Sequence, residues 1–166
     1  CWTTNLLDRK RSSSGGAFSI LARKILSEGG VVYGASMCED LQVRHIAIDS
    51  TDDIIHLQGS KYLQSYLGNT YKDVRTHLRS GRKVLFTGTP CQVGGLLTFL
   101  RRDYENLITC DVVCHGVPSQ KAFDIYIDRI GLRGKCKNFN FRFTEGWGFQ
   151  LSSQLVAPTK DGDSNK

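Results

Sequence analysis

Hydrophobic residues repeat at helical intervals in four segments of the chain. Within each segment the apolar positions lie three or four residues apart, which places them on one face of a helix. The predicted helices are Ala17–Leu26, Tyr71–Arg79, Cys91–Leu100 and Ser119–Ile130. The side chains expected to face the core are Phe18, Leu21, Ala22, Ile25, Val74, Leu78, Val93, Leu96, Leu97, Leu100, Phe123, Tyr126, Ile127 and Ile130. Hydroxyl groups at Ser12–Ser14 are expected to cap the first helix.

Short apolar runs alternate with these helices and predict strands. The strands are Val31–Ala35, Val43–Ile48, Lys83–Thr87 and Leu107–Val113. The first two follow each other closely, as the strands of a hairpin do. The alternation of strands and helices favours an α/β fold, with a mixed sheet whose central strands are parallel and flanked by helices.

The pattern changes near the end of the chain. Asn138–Phe143 alternates polar and apolar residues, and a second such run follows at Phe149–Val156, after the turn-forming Gly146-Trp147-Gly148. Together they predict a C-terminal β-hairpin. Residues 159–166 are turn-forming residues, typical of a loop at which a longer chain has been cut.

Size and charge define the class of protein. The 166 residues suffice for a single α/β domain spanning 1–166, and no apolar run is long enough to cross a membrane. The net charge of +6 is scattered over several elements, with no polybasic tract, so nucleic acid is not expected as a partner. The chain starts at Cys1 rather than Met, which suggests a fragment or a processed chain, and a cytoplasmic location is expected.

Two of the six cysteines lie where chemistry is expected. Cys91 follows a strand and the Gly88-Thr89-Pro90 turn, at a helix start whose dipole and free amides stabilise a thiolate. Cys114 follows the next predicted strand, and the carboxyl ends of parallel strands share one edge of a sheet. The position of Cys91 suits a metal or cluster ligand, a catalytic nucleophile or a redox thiol, and it also suits a buried packing residue. Cys110 is taken as structural.

Two further segments are suited to binding an anion. Ser12–Gly16 precedes a helix, where backbone amides can hold phosphate groups. Gly59-Ser60-Lys61-Tyr62 offers a cation for phosphate, a hydroxyl group and an aromatic face for a flat ring. Two such loops in one small domain favour a dinucleotide.

Four motifs, in this order, closely resemble the coenzyme F420 hydrogenase/dehydrogenase beta-subunit family. They are Arg11–Phe18, Gly59–Ser65, Leu85–Leu96 and Asp111–Ser119, and the resemblance extends from about Arg9 to Gly148. It implies a domain that binds FAD and a [4Fe–4S] cluster. It also implies electron transfer between an iron–sulfur protein or subunit and a soluble hydride carrier, F420 or a similar one.

The resemblance also assigns roles to residues. It implies Cys91 and Cys114 as cluster ligands. The residues implied as flavin-binding are Ser13, Ser14, Gly15, Gly16, Gly59, Ser60, Lys61, Tyr62, Thr87, Gly88, Thr89 and Pro90. Family members carry further cysteines beyond the point where this chain ends, so the C-terminal part of the family domain is expected to be missing and the cluster incomplete. Two alternatives remain open, a thiol-based enzyme using Cys91 and a binding or scaffold module without cofactor.

Overall fold

A four-stranded mixed sheet organises the chain, whose computed structural model describes residues 2–143 and 150–155. The strands have the order β2-β1-β3-β4. β1 is parallel to β3, β3 is parallel to β4, and β2 is antiparallel to β1. The bounds are β1 Val31–Met37, β2 Val43–Ile48, β3 Val84–Gly88 and β4 Leu107–Asp111. The predicted α/β class, with its parallel central strands, is confirmed.

Helices cover both faces of this sheet. The side chains of strand β1 pack on both faces of the sheet. Val32 packs with α2 and α3 on one face, whereas Val31 and Tyr33 pack with α4 and α5 on the other. Alternate side chains of a strand point to opposite faces, so both sets are buried. The helices are α1 Leu6–Arg11, α2 Ala17–Ser27, α3 Ile54–Leu57 after a 3-10 turn at Thr51–Asp53, α4 Thr70–Arg79, α5 Pro90–Leu100 and α6 Gln120–Arg129.

The helical spacing identified the helices correctly, but it overestimated how many side chains of each helix are buried. Four residues expected in the core are 39–48% exposed, namely Leu21, Leu97, Tyr126 and Ile130. Helical spacing marks a stripe, but a neighbouring element covers only part of that stripe. Helix α1 was not predicted, although Asn5 caps it by accepting from the amides of Leu7 and Asp8.

Strand β4 ends earlier than predicted. Its last residue is Asp111, and the side chains of Val112 and Val113 are 55% and 88% exposed. The amide of Val112 still donates to the carbonyl oxygen of Gly88 at 3.0 Å. Cys114 therefore lies in a loop, three residues beyond the end of the strand.

A second sheet is formed by β5 (Cys136–Phe143) and β6 (Gln150–Leu155), which pair antiparallel. Phe139 and Phe141 of β5 pack with Phe123 and Ile127 of α6 in a third core cluster. The predicted turn at 146–148 and the predicted loop at 159–166 lie outside the described residues, so the hairpin stays a prediction. In the part of the chain that the structure describes, no helix has the length and apolar character that a bilayer crossing requires.

Candidate functional site

The carboxyl ends of the parallel strands bring the predicted cysteine segments to one edge of the sheet. Gly88 ends β3, and its carbonyl oxygen accepts the amide of Val112 just beyond β4. Cys91 follows Gly88 by three residues and Cys114 follows Val112 by two. Each cysteine therefore lies two or three residues from a partner in this hydrogen bond, and both thiols are exposed.

The Thr87–Cys91 turn delivers Cys91 to a helix start, as the sequence predicts. Pro90 is the first residue of α5, and Cys91 lies in the first turn of that helix. The sulfur of Cys91 is 3.1 Å from the hydroxyl oxygen of Thr89. A thiolate here would be stabilised by the helix dipole and by this hydroxyl group.

A buried network of hydrogen bonds connects the Thr87–Cys91 turn to the core. Nε2 of His45 lies 2.9 Å from the carbonyl oxygen of Thr87, and Nδ1 lies 2.7 Å from the hydroxyl oxygen of Ser65. The side-chain amide of Gln92 donates to the same hydroxyl oxygen at 2.8 Å, and its carbonyl oxygen accepts the amide of Thr89 at 3.0 Å. We call these contacts the His45 relay.

The relay suits a neutral His45. A carbonyl oxygen only accepts, so Nε2 carries a proton, and in the neutral ring Nδ1 then accepts from the Ser65 hydroxyl. Burial lowers the pKa of His45, which favours this neutral form. Its ring also stacks on Phe86, with centroids 5.3 Å apart. This role could not be read from the sequence, since a lone histidine in a predicted strand has no distinctive spacing.

Gly88 is required by the relay rather than by its backbone angles. A Cβ at this position would lie 2.9 Å from Oε1 of Gln92 and 3.3 Å from Nε2 of His45. Contacts this short would push the relay apart. The glycine of the Thr87–Pro90 turn therefore has a packing explanation independent of any cofactor.

The segment 58–66 joins the relay to the first predicted anion loop. Its Ser65 belongs to the relay, while the amide of Ser60 donates to the hydroxyl oxygen of Ser13 at 2.8 Å. The side-chain amide of Gln58 also donates to the hydroxyl oxygen of Ser19 at 2.8 Å. The two loops that the sequence singled out are thus in direct contact.

An ion pair fixes the position of these loops. Asp8 is 3% exposed and accepts from Nε and Nη2 of Arg23 at 2.8 and 3.0 Å, and from Gln58 at 3.1 Å. The Arg23 guanidinium lowers the pKa of Asp8, so the carboxylate stays charged. Asp8, Arg23 and Gln58 therefore connect α1, α2 and the segment 58–66.

The start of helix α2 differs from the prediction. Gly16 is its N-cap residue, with φ at 82°, and no side chain of the described residues caps the helix. The hydroxyl group of Ser13 is engaged by Ser60 instead, and the carbonyl oxygens of Ser14 and Gly15 accept from Arg9 and Thr3. The expected hydroxyl cap is wrong, and the first amides of α2 have no side-chain cap. Such amides suit phosphate oxygens.

Lys61 adds a cation to the same region. Its ammonium group donates to the carbonyl oxygens of Gln58 at 2.7 Å and His56 at 3.3 Å. Desolvation lowers the pKa of Lys61 to about 8. Among residues 2–143 and 150–155, no carboxylate forms an ion pair with it. A desolvated cation without a carboxylate partner suits an anionic ligand.

Tyr62 and Gly59 complete the predicted loop. The ring of Tyr62 is 43% exposed and makes an edge contact with Phe141, with centroids 6.0 Å apart. Gly59 adopts φ of 79°, which favours glycine, and a Cβ there would meet open space. Part of the Tyr62 ring thus remains accessible to a flat ligand.

The cysteines do not form a complete metal site in the described chain. Within these residues, no group of three or more His, Cys, Asp or Glu side chains could hold a metal ion. Cys110 packs against the core cluster of α2 and α3, in agreement with a structural role. Cys91 and Cys114 thus offer two of the four thiolates that a cubane cluster needs.

The thiol-enzyme alternative depends on a base beside Cys91. The hydrogen-bond partner of its sulfur is the Thr89 hydroxyl group. In the described part of the chain, no histidine is hydrogen-bonded to Cys91, and His115 is exposed. An activated nucleophile needs such a base or another source of activation.

The chain is an α/β domain, and its candidate ligands Cys91 and Cys114 follow the carboxyl ends of two parallel strands. Cofactors commonly bind at this edge of a sheet. Residues 81–165 match the family model for the C terminus of the coenzyme F420 hydrogenase/dehydrogenase beta subunit. The chain belongs to this family. The match includes the Thr87–Cys91 and Asp111–Ser119 segments, whereas Arg11–Phe18 and Gly59–Ser65 lie outside it.

The fold also resembles a solved structure, the xenon-derivatised F420-reducing [NiFe] hydrogenase complex from Methanosarcina barkeri. The TM-score is 0.66 at 18% identity, and the match covers 93% of this chain. It covers 58% of the chain in that complex. At this identity the likeness shows the fold. Among curated proteins, no sequence match was found.

Proposed function

We propose that this chain forms the FAD-binding part of an electron-transfer oxidoreductase, as a single α/β domain. Its membership of the F420 hydrogenase/dehydrogenase beta-subunit family supports this class of activity. The observation that carries the proposal is the hydrogen bond between Ser60 and Ser13, which joins two loops suited to anions beside Lys61.

The residues fit the phosphate part of FAD. The amides at the start of α2 lack a side-chain cap, and the Lys61 ammonium lacks a carboxylate partner among the described residues. Ser13 through Gly16 would orient the pyrophosphate, and Lys61 would balance its charge. Tyr62 and the Thr87–Pro90 turn would contact the rest of the molecule. Bound FAD would exchange hydride with a soluble carrier, F420 or a similar one, and single electrons with an iron–sulfur partner.

For the cluster the fit is only partial. Cys91 and Cys114 would supply two ligands of a [4Fe–4S] cluster, and the remaining ligands would come from outside the described residues. The chain purified alone is therefore expected to hold little or no iron. An iron-to-protein ratio of about four would overturn this expectation. We place the protein in the cytoplasm, with an iron–sulfur protein or subunit as partner.

The test is an absorption spectrum of protein prepared anaerobically and reconstituted with FAD. Flavin absorption bands at about 450 nm that stay with the protein through gel filtration would support the proposal. A colourless protein after reconstitution would contradict it and would favour the binding or scaffold module. If alkylation of Cys91 abolished a turnover that requires no flavin, the thiol-enzyme alternative would replace it.

A further inference from the structure

A positively charged groove lies between helices α4 and α5, on one side of the sheet. It has a volume of about 690 Å³ and is lined by Arg75, Arg79, Arg101 and Arg102, together with Phe99 and Tyr104 among other residues. Helix α5 begins at the carboxyl edge, beside Cys91, and the arginines gather around its other end. At 1.5 Å per residue the two ends of this helix are roughly 16 Å apart.

The four arginines have no acidic partner in the described chain. None of them forms an ion pair there, and no Asp or Glu lines the groove. Glu105, close in sequence, lines a separate groove with Lys24 and Lys83. Elsewhere in the described chain, Arg44 is paired with Asp40 and Lys83 with Glu28. The four guanidinium groups of the groove carry positive charge that no such ion pair offsets.

Two of the arginines are held in place by aromatic rings. The guanidinium carbon of Arg75 lies 4.6 Å from the Phe99 ring centre, and that of Arg102 lies 4.4 Å from the Tyr104 ring centre. Burial alone would raise the pKa of Tyr104, but the nearby guanidinium groups of Arg102 and Arg79 lower it. A guanidinium group that stacks on a ring, as Arg75 does on Phe99, can still bind carboxylate oxygens through its N–H edge.

Arg101 occupies a backbone position that favours glycine. It is the C-cap residue of α5, with φ at 57° and ψ at 13°. Glycine or asparagine commonly fills such a position, because a Cβ is unfavourable there. The helix dipole favours a cation at this end but does not require one in the left-handed conformation. An arginine at this strained position adds a fourth cation to the groove, which points to a ligand.

We propose that this groove binds an acidic segment of a partner protein. Its charge is complementary to carboxylates, and the guanidinium edges can bind them bidentately. Single-stranded nucleic acid fits less well, since base stacking needs uncovered aromatic faces and Phe99 and Tyr104 are covered by arginines. None of the described residues assigned to FAD or to the cluster lines the groove, so the proposal does not rest on FAD binding.

The test measures fluorescence anisotropy of a labelled glutamate-rich peptide with the full chain and its variants. Arg79→Gln and Arg101→Gly are each expected to weaken binding about three- to fivefold. The matched control Arg129→Gln removes the same charge from the exposed surface of α6 and should leave the affinity unchanged. Affinity should also fall between low salt and about 0.15 M salt.

Arg101→Gly separates binding from folding. Glycine suits φ of 57°, so the melting temperature should stay the same or rise while peptide affinity falls. The proposal is overturned if the peptide does not bind, if Arg129→Gln weakens binding as much as Arg79→Gln, or if a single-stranded oligonucleotide binds more tightly than the peptide. It is also overturned if Arg101→Gly lowers the melting temperature and leaves peptide affinity unchanged.

Discussion

The two candidate cluster cysteines lie at the same edge of the sheet in different surroundings. Cys91 is on a turn tied to the core by the His45 relay, whereas residues 111–116 around Cys114 are all exposed. The sulfur of Cys114 accepts only from the nearby amide of Gly116, at 3.4 Å, among the described residues. One half of the proposed ligand pair is therefore pre-organised by the fold, while the other half depends on what binds there.

The largest expected effect comes from removing the centre of the relay. His45→Ala leaves the Ser65 hydroxyl and the Thr87 carbonyl without their partner and removes the ring stacked on Phe86. The free energy of unfolding should fall by about 3 kcal/mol in urea denaturation. A loss below about 0.5 kcal/mol would show that the relay does not hold the turn.

Gly88→Ala is expected to disrupt the His45 relay from the side of the turn. The added Cβ would lie 2.9 Å from Oε1 of Gln92, so the free energy of unfolding should fall by about 2 kcal/mol. Gly94→Ala, in the helix that follows the turn, is the matched control, because its Cβ meets nothing within 4 Å. That change should stabilise the chain by up to about 1 kcal/mol. Equal effects of the two substitutions would remove the steric argument.

Acid should weaken the turn through His45. Because burial lowers its pKa below the ordinary value of 6.5, the unfolded chain binds a proton more readily than the folded chain. Stability is therefore lost as the pH falls through about 6.5. His45→Gln should lack this component when the unfolding curves of the two proteins are compared above and below that pH. An identical pH dependence in the variant would exclude His45 as its source.

The smallest effect is expected at Cys114. Its side chain is exposed and its hydrogen bond is local, so Cys114→Ser should change the free energy of unfolding by less than about 0.5 kcal/mol. Alkylation rates of the two thiols sharpen the comparison, since His45→Ala should change the rate at Cys91 and leave that at Cys114 unaltered. A large stability loss in Cys114→Ser would mean that its segment is held as firmly as the Cys91 turn.

The framework of the domain could be predicted from the sequence because its elements are set by local periodicity. The sheet, four helices and the helix start at Cys91 all follow from spacing and turn residues. The His45 relay could not be predicted, because it joins residues 20 to 42 positions apart that only the sheet brings together. The hydroxyl cap of α2 was wrong for the same reason, as Ser13 bonds to Ser60 in a distant loop.

FAD titration of the chain, followed by flavin fluorescence, tests the central claim most directly. Lys61→Gln should weaken FAD binding about tenfold, because a charge-assisted contact to phosphate is lost. Lys121→Gln, at an exposed position of α6, should leave the FAD affinity unchanged. Since the pKa of Lys61 is about 8, wild-type affinity should fall as the pH rises through that value, and the variant should lack this fall. FAD binding that is insensitive to Lys61→Gln, or weakened equally by Lys121→Gln, would contradict the assignment of these loops to the cofactor phosphates.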